Sequence, residues 1–279
     1  MRSAIRRKSL ELSFLLALPF VPHATHAYPD TASGTLAAGY SHAAALKSNG
    51  SVWSWGSGTL GNGTINSSTT PVQATGLTGV VAINSGISYS IALKSDGTLR
   101  VWGSNSYGQL GDGTTTLRTT PVTGLWANSV AIATSDTDGI TLAVKSDRTV
   151  WSAGNNTWGT LGDGTMVNRS TPVQVTGLTN VLTVAVGSYH ALAVKLDGTV
   201  WTWGTEMSGE IGNGGDSYSV QLTPIQVPGL TNVVAVSAGY LSSYALKSDG
   251  TVWAWGMNIH GQLGDNTYTT RLVPTQVPG

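Results

Sequence analysis

The 279-residue chain carries 14 Lys+Arg against 14 Asp+Glu, no cysteine, 36 glycines and 10 tryptophans. Without cysteine it has no disulfide framework, no thiolate metal site and no cysteine nucleophile. Its 10% of charged residues is too few for a disordered polyelectrolyte, and its length suffices for a large buried core.

Residues 1–27 read as a secretory signal. Arg2, Arg6, Arg7 and Lys8 form a basic start, Leu12 to Val21 an apolar run, and Ala24-Thr25-His26-Ala27 a small-residue cleavage site. The run falls short of the ~20 residues that a membrane span needs. Cleavage after Ala27 leaves residues 28–279 with 10 Lys+Arg against 13 Asp+Glu. That net charge of −3, with no basic arm, argues against a nucleic-acid partner. The expected location is therefore secreted, periplasmic or at the cell surface.

From Ala38 onward one unit of about fifty residues recurs five times, the signature of a repeat architecture. A Trp-Gly or Ala-Gly step ends at Gly56, Gly103, Gly154, Gly204 and Gly256. A Leu-Gly or Ile-Gly step ends at Gly61, Gly111, Gly162, Gly212 and Gly264. In the fourth copy, Val184-Ala185-Val186 and Ala191 to Val194 precede Asp197-Gly198, a hairpin signal expected to form a tight primed turn. Thr199 to Trp203 returns, a glycine-rich loop follows, and Pro224 to Val227 closes the unit. No window sustains helical periodicity. Four short strands per unit, repeated radially, predict an all-β propeller of five four-stranded blades.

The period of two in Trp201-x-Trp203 puts both indoles on one sheet face. Trp53, Trp55, Trp102, Trp151, Trp201, Trp203, Trp253 and Trp255 are therefore expected to form the core between blades. Arg100 and Ala153 interrupt this pattern, and Trp126 is an aromatic without a counterpart in other copies. His42 and His190 share a repeated position suited to hydrogen bonding between strands. Lys47, Lys94, Lys145, Lys195 and Lys247 precede the hairpin turns and predict a charged rim on one face, solvated or locally paired. Arg148 replaces the hairpin glycine of the third copy, where a positive φ would strain it.

The loops after the Trp-Gly steps belong to the opposite face, and there the copies differ. They carry Tyr107, Trp158, Met207, Ile259 and His260, the residue types of a protein-binding surface on a rigid scaffold. No nucleophile elbow, zinc-binding helix motif or phosphate-binding loop is present, so neither catalysis nor a metal or other cofactor is expected. Glu206, Glu210 and Asp216 are the remaining carboxylates close enough in sequence to suggest a hydrolase site.

The combined pattern A-G-x-x-H-x-x-A-L-K-x-D-G-x-V-W-x-W-G, then G-Q-L-G-D-G-T, then P-x-x-V-x-G-L, resembles the regulator-of-chromosome-condensation repeat. Ala38 to Gly56, Ser95 to Thr114, Gly187 to Gly204 and Ala238 to Asp265 carry it. The resemblance implies a propeller, typically of seven blades, that binds proteins through the loops of one face. Nucleotide exchange on a small GTPase, ultraviolet sensing by clustered tryptophans and β-lactamase inhibition are activities known among its members. Five copies suit either a closed five-bladed ring, with Thr35 to Ala38 lending a strand to a last blade that ends early, or an incomplete arc. An arc would have open edges prone to self-association. The expected function is an exported scaffold binding an unidentified protein, inhibitor-like in its most specific form. An exchange-factor-like regulator and a structural module of a surface array are the alternatives.

Overall fold

The structure is a computed structural model that describes residues 35–215 and 218–279; the expected signal segment and Asp216 lie outside them. Twenty strands form five sheets, each a meander of four antiparallel strands in chain order. The first holds β1 (Leu36–Ala38), β2 (His42–Leu46), β3 (Val52–Gly56) and β4 (Ser68–Gln73). The second holds β5 (Val80–Ser85), β6 (Tyr89–Lys94), β7 (Leu99–Gly103) and β8 (Arg118–Thr123). The third holds β9 (Ser129–Thr134), β10 (Ile140–Lys145), β11 (Val150–Gly154) and β12 (Arg169–Gln174). The fourth holds β13 (Val181–Val186), β14 (His190–Lys195), β15 (Val200–Glu206) and β16 (Ser219–Gln226). The fifth holds β17 (Val233–Ala238), β18 (Ser242–Lys247), β19 (Val252–Gly256) and β20 (Arg271–Gln276). No helix long and apolar enough to cross a membrane occurs among the described residues.

First strands of neighbouring sheets approach one another, β1 with β5, β5 with β9, β9 with β13 and β13 with β17. This places them on the inner side of the array. Antiparallel order then sends the turns after strands one and three to one face, and the hairpins between strands two and three to the other.

The tryptophans divide into two classes. Trp102, Trp203 and Trp255 are fully buried, and their indoles lie against Gly61, Gly162 and Gly212 of the preceding sheet, where a Cβ would come within 3.0 Å of them. Trp203 Nε1–H donates to Thr160 O at 2.8 Å and Trp255 Nε1–H to Glu210 O at 2.9 Å. In the third sheet Ala153 is too small for this contact, and Trp126 supplies it from the connection leaving the second sheet. Its indole lies against Gly111 and donates to Leu110 O at 2.9 Å. Trp126 and Ala153 share one buried cluster, so the unmatched tryptophan and the missing one explain each other.

The first tryptophan of each pair is a correction to the expected core. Trp53, Trp151, Trp201 and Trp253 are half-buried at its margin. Lys47, Lys145, Lys195 and Lys247 stand over their rings at 4.1, 3.5, 5.1 and 4.7 Å from the centroids. These are cation–π contacts. In the second sheet Arg100 takes the tryptophan's place and offers no ring, and Lys94 pairs instead with Asp96 at 2.9 Å.

The hairpins also differ from the primed turns expected. In the first, Gly50 N–H donates to Lys47 O and Lys47 N–H to Ser51 O, both at 2.9 Å. Gly50 has φ 78° and Asn49 does not share its positive φ, which defines a type I turn closed by a glycine bulge. Arg148 occupies the same position with φ 67°, so the third hairpin keeps the shape at the cost of backbone strain.

The array is an open arc. The strand expected to close a ring, Thr35 to Ala38, is instead β1, paired with β2 from Leu36↔Ala45 to Ala38↔Ala43. The fifth sheet already holds four strands of its own. The outward face of the fifth sheet exposes Leu246 by 40% and Val252 by 39%, where Val144, Val150, Val194 and Val200 are fully buried. At the other end, Trp55 is half-buried while its equivalents have no exposure.

Two stability predictions follow from this packing. Trp203→Ala should lower unfolding free energy by about 3–5 kcal/mol, and Trp55→Ala by far less; equal losses in denaturant unfolding would contradict an open first face. Trp126→Ala should cost as much as Trp203→Ala, and adding Ala153→Trp should restore part of it. No recovery in the double variant would mean that the two side chains do not serve one joint.

Candidate functional site

The loop face is held rigid by a brace repeated in three sheets. Asn105 Nδ2–H donates to Asp112 Oδ1 at 3.1 Å, its Oδ1 accepts Leu110 N–H at 3.0 Å, and Arg118 Nε–H donates to Asp112 Oδ2 at 2.7 Å. Asn156, Asp163 and Arg169 repeat it, as do Asn258, Asp265 and Arg271. The Thr267 hydroxyl, then Arg271 and Asn258, hold the Asp265 carboxyl down at about 2. Asp112 and Asp163 are also held low, because bonds from threonine and arginine outweigh burial. These carboxylates are engaged internally, as the sequence suggested for tight loops. From the braced loops of the second and third sheets a glycine N–H reaches the outer strand of the next sheet, Gly113 to Ser170 O at 2.9 Å and Gly164 to Leu222 O at 3.0 Å.

Three residues of the histidine column, His42, Tyr89 and His190, tie their sheets to the next. His190 Nε2 lies 2.8 Å from Ser243 Oγ, whose own hydroxyl donates to Glu210 O at 2.8 Å. Ser243 is thus the acceptor, and His190 carries its proton on Nε2. Burial depresses this imidazole to about 3. His42 bonds Ser90 Oγ at 2.9 Å, and burial lowers it too. Tyr89 does the same work with its hydroxyl donated to Ile140 O. Glu206 and Glu210 are both buried, Glu210 accepting N–H bonds from Met207 and Ser208 at 2.8 and 2.7 Å. Burial raises Glu210. It supports its own loop, as Gln109 and Gln262 do elsewhere.

The side chains expected to bind a partner are only partly brought together. Tyr107 leans on the turn of the third sheet, where a Cβ on Gly139 would lie 3.5 Å from its ring. Trp158 meets Tyr189 edge-on at 5.3 Å, and Tyr189 meets Tyr240 at 5.5 Å, with 3.4 Å between the two hydroxyls. This row crosses the third, fourth and fifth sheets. Tyr189 and Tyr240 were not singled out by sequence reasoning. Their signal was available, since Tyr40, Tyr189 and Tyr240 all follow the glycine that opens the first turn. The bond to Tyr240, burial and the nearby Asp138 charge raise Tyr189 to about 12, so its phenol is neutral at physiological pH. Asp138 is itself raised to about 6 by burial, and neither it nor Asp136 forms an ion pair among the described residues. Beyond Tyr240 the row opens onto a shallow pocket of about 580 Å³ lined by Leu241, Met257, Ile259, His260 and Gln262. Tyr240 is exposed by 55% and Ile259 by 60%, and Met207 is half-buried.

The RCC1-like domain profile matches residues 17–279. The chain belongs to the RCC1-like domain family. Among solved structures, yeast RCC1 (Prp20) bound to Kap60 is similar at a TM-score of 0.77 and 22% identity, over 88% of this chain and 60% of that one. Human WBSCR16 is similar at 0.76 and 24%, over 88% and 67%. A second structure of Prp20p from Saccharomyces cerevisiae, described with its binding to Gsp1p and histones, is similar at 0.75 and 22%, over 88% and 63%. This chain thus spans about two thirds or less of the length of these proteins, and the likeness is one of fold. No curated protein sequence matches it.

The buried histidine sets a pH dependence. Its folded value lies below the ordinary 6.5, so between pH 6.5 and 3 the unfolded chain takes up a proton that the folded chain refuses. The stability it contributes is complete above pH 6.5 and is lost as pH falls. The melting temperature of the native protein should therefore drop relative to His190→Gln between pH 6.5 and 4.5. Parallel curves over that range would place His190 in solvent.

Proposed function

We propose that this protein is an exported interaction module that binds a protein partner through its loop face and carries out no catalysis. The observation that carries this reading is the Trp158–Tyr189–Tyr240 row, with Trp158 on a braced loop and the two tyrosines on the first turns of the next two sheets, beside the exposed Ile259. Aromatic rings on a rigid support lose little entropy on binding and dominate interface energetics. Asp136 and Asp138 at the margin favour a partner with an apolar centre and basic side chains around it. The protein binding described for Prp20 supports the class of function and leaves the partner open. The basic start, apolar run and small-residue site of residues 1–27 support export.

Photo-crosslinking from position 259 identifies the partner, and titration then measures it. Tyr240→Ala should leave circular dichroism unchanged and weaken binding at least tenfold. Asp138→Asn should weaken it less and reduce its salt dependence. Binding that survives both substitutions, yet is lost on replacing Lys47 and Lys195, would move the interface to the hairpin face and overturn the proposal.

A further inference from the structure

The two ends of the arc carry the two halves of a joint that the chain already makes between its own sheets. At the fifth sheet, Gly264 continues the column of Gly61, Gly162 and Gly212. Those three lie under the indole of the next sheet, whereas a Cβ on Gly264 would meet only Val277, at 3.4 Å. The seat has no indole. At the first sheet, Trp55 continues the column of Trp102, Trp203 and Trp255 and is half-buried, with Ala43 and Ala45 half-buried beside it where Ala92, Ala143, Ala191 and Ala193 have no exposure. That indole has no seat. The first turns show the same mismatch. A Cβ on Gly39, Gly86 or Gly187 would strike a backbone oxygen in the neighbouring sheet's turn, at 2.3–2.7 Å, and one on Gly239 would meet only its own Ser242.

We infer that the fifth sheet of one copy receives the first sheet of a second copy, with Trp55 laid over Gly264 and its Nε1–H directed at Gln262 O. That oxygen corresponds to Thr160 O and Glu210 O, the acceptors of Trp203 and Trp255; it already accepts the Tyr244 hydroxyl at 3.0 Å and would take the indole as a second donor, as Glu210 O takes both Ser243 Oγ and Trp255 Nε1. Both uncovered faces are mainly apolar, with Tyr244 on the fifth sheet standing where Ala44, Ile91, Leu142 and Leu192 stand on the others. A blade of this repeat fits both faces, and the occupant assigned here is the blade of a second copy. The contact is head-to-tail rather than two-fold symmetric.

The test is light scattering on the purified native protein over a range of concentrations, with one variant for each face. Ala43→Glu with Trp55→Ala spoils the first face; Leu246→Glu spoils the fifth, with Val252→Glu as its replacement should Leu246→Glu unfold by circular dichroism. The native protein should grow beyond the monomer as concentration rises. Each variant alone should remain monomeric. An equimolar mixture of the two should give dimers and nothing larger, because each keeps the face that the other lacks. A native protein that is monomeric at hundreds of micromolar, variants that still self-associate, or a mixture that stays monomeric would each overturn the inference, the last by pointing to a symmetric contact.

Discussion

An indole laid over a glycine of the preceding sheet is the contact on which the rest of this protein depends. A single four-stranded sheet of short strands cannot bury both of its faces. Here each sheet presents alanines and one indole to the sheet before it, and leucine or valine to the sheet after it. The glycine admits the ring, and at Trp203 and Trp255 the ring's N–H closes on a carbonyl beside it. The third sheet shows how strictly the contact is kept. When its tryptophan is lost, another indole arrives from the connecting segment and makes an equivalent bond.

That joint also accounts for the difference between the two faces. The hairpins lie at the margin of the core, where lysine stems cover the outer tryptophans and the charges reach solvent. The long loops of the other face are anchored by the Asn–Asp–Arg brace within a sheet, by a glycine N–H bond to the next, or, in the second and third sheets, by both. Loops tied in this way vary in side chain without varying in backbone, which is what a recognition surface on a fixed frame requires. The aromatic row occupies that surface where three consecutive sheets bring their turns together.

Much of the architecture was legible in the sequence because each repeat states it again. The fifty-residue period, the Asp-Gly hairpins and the alternation in Val200 to Trp203 led to four strands per sheet. The role of His190 as a tie between strands was readable from its column. The split among the tryptophans was not, because a period of two assigns a face and says nothing of distance from the sheet's edge. Trp201 and Trp203 share a face, yet one is half-buried beneath Lys195 and the other is enclosed. Tyr189 and Tyr240 escaped notice for a related reason. They precede a histidine and a Leu-Ser step in short turns that looked like scaffold, and only the juxtaposition of separate sheets makes them one row with Trp158.

The most direct test of the account is amide hydrogen exchange, resolved by sheet, on the native protein at a concentration low enough to keep it monomeric. If seated indoles carry the stability, the third sheet, joined on both sides, exchanges slowest. The first and fifth, each with one uncovered face, exchange fastest. A first sheet as protected as the third, or uniform protection across all five, would contradict the open arc and with it the central place given to the joint.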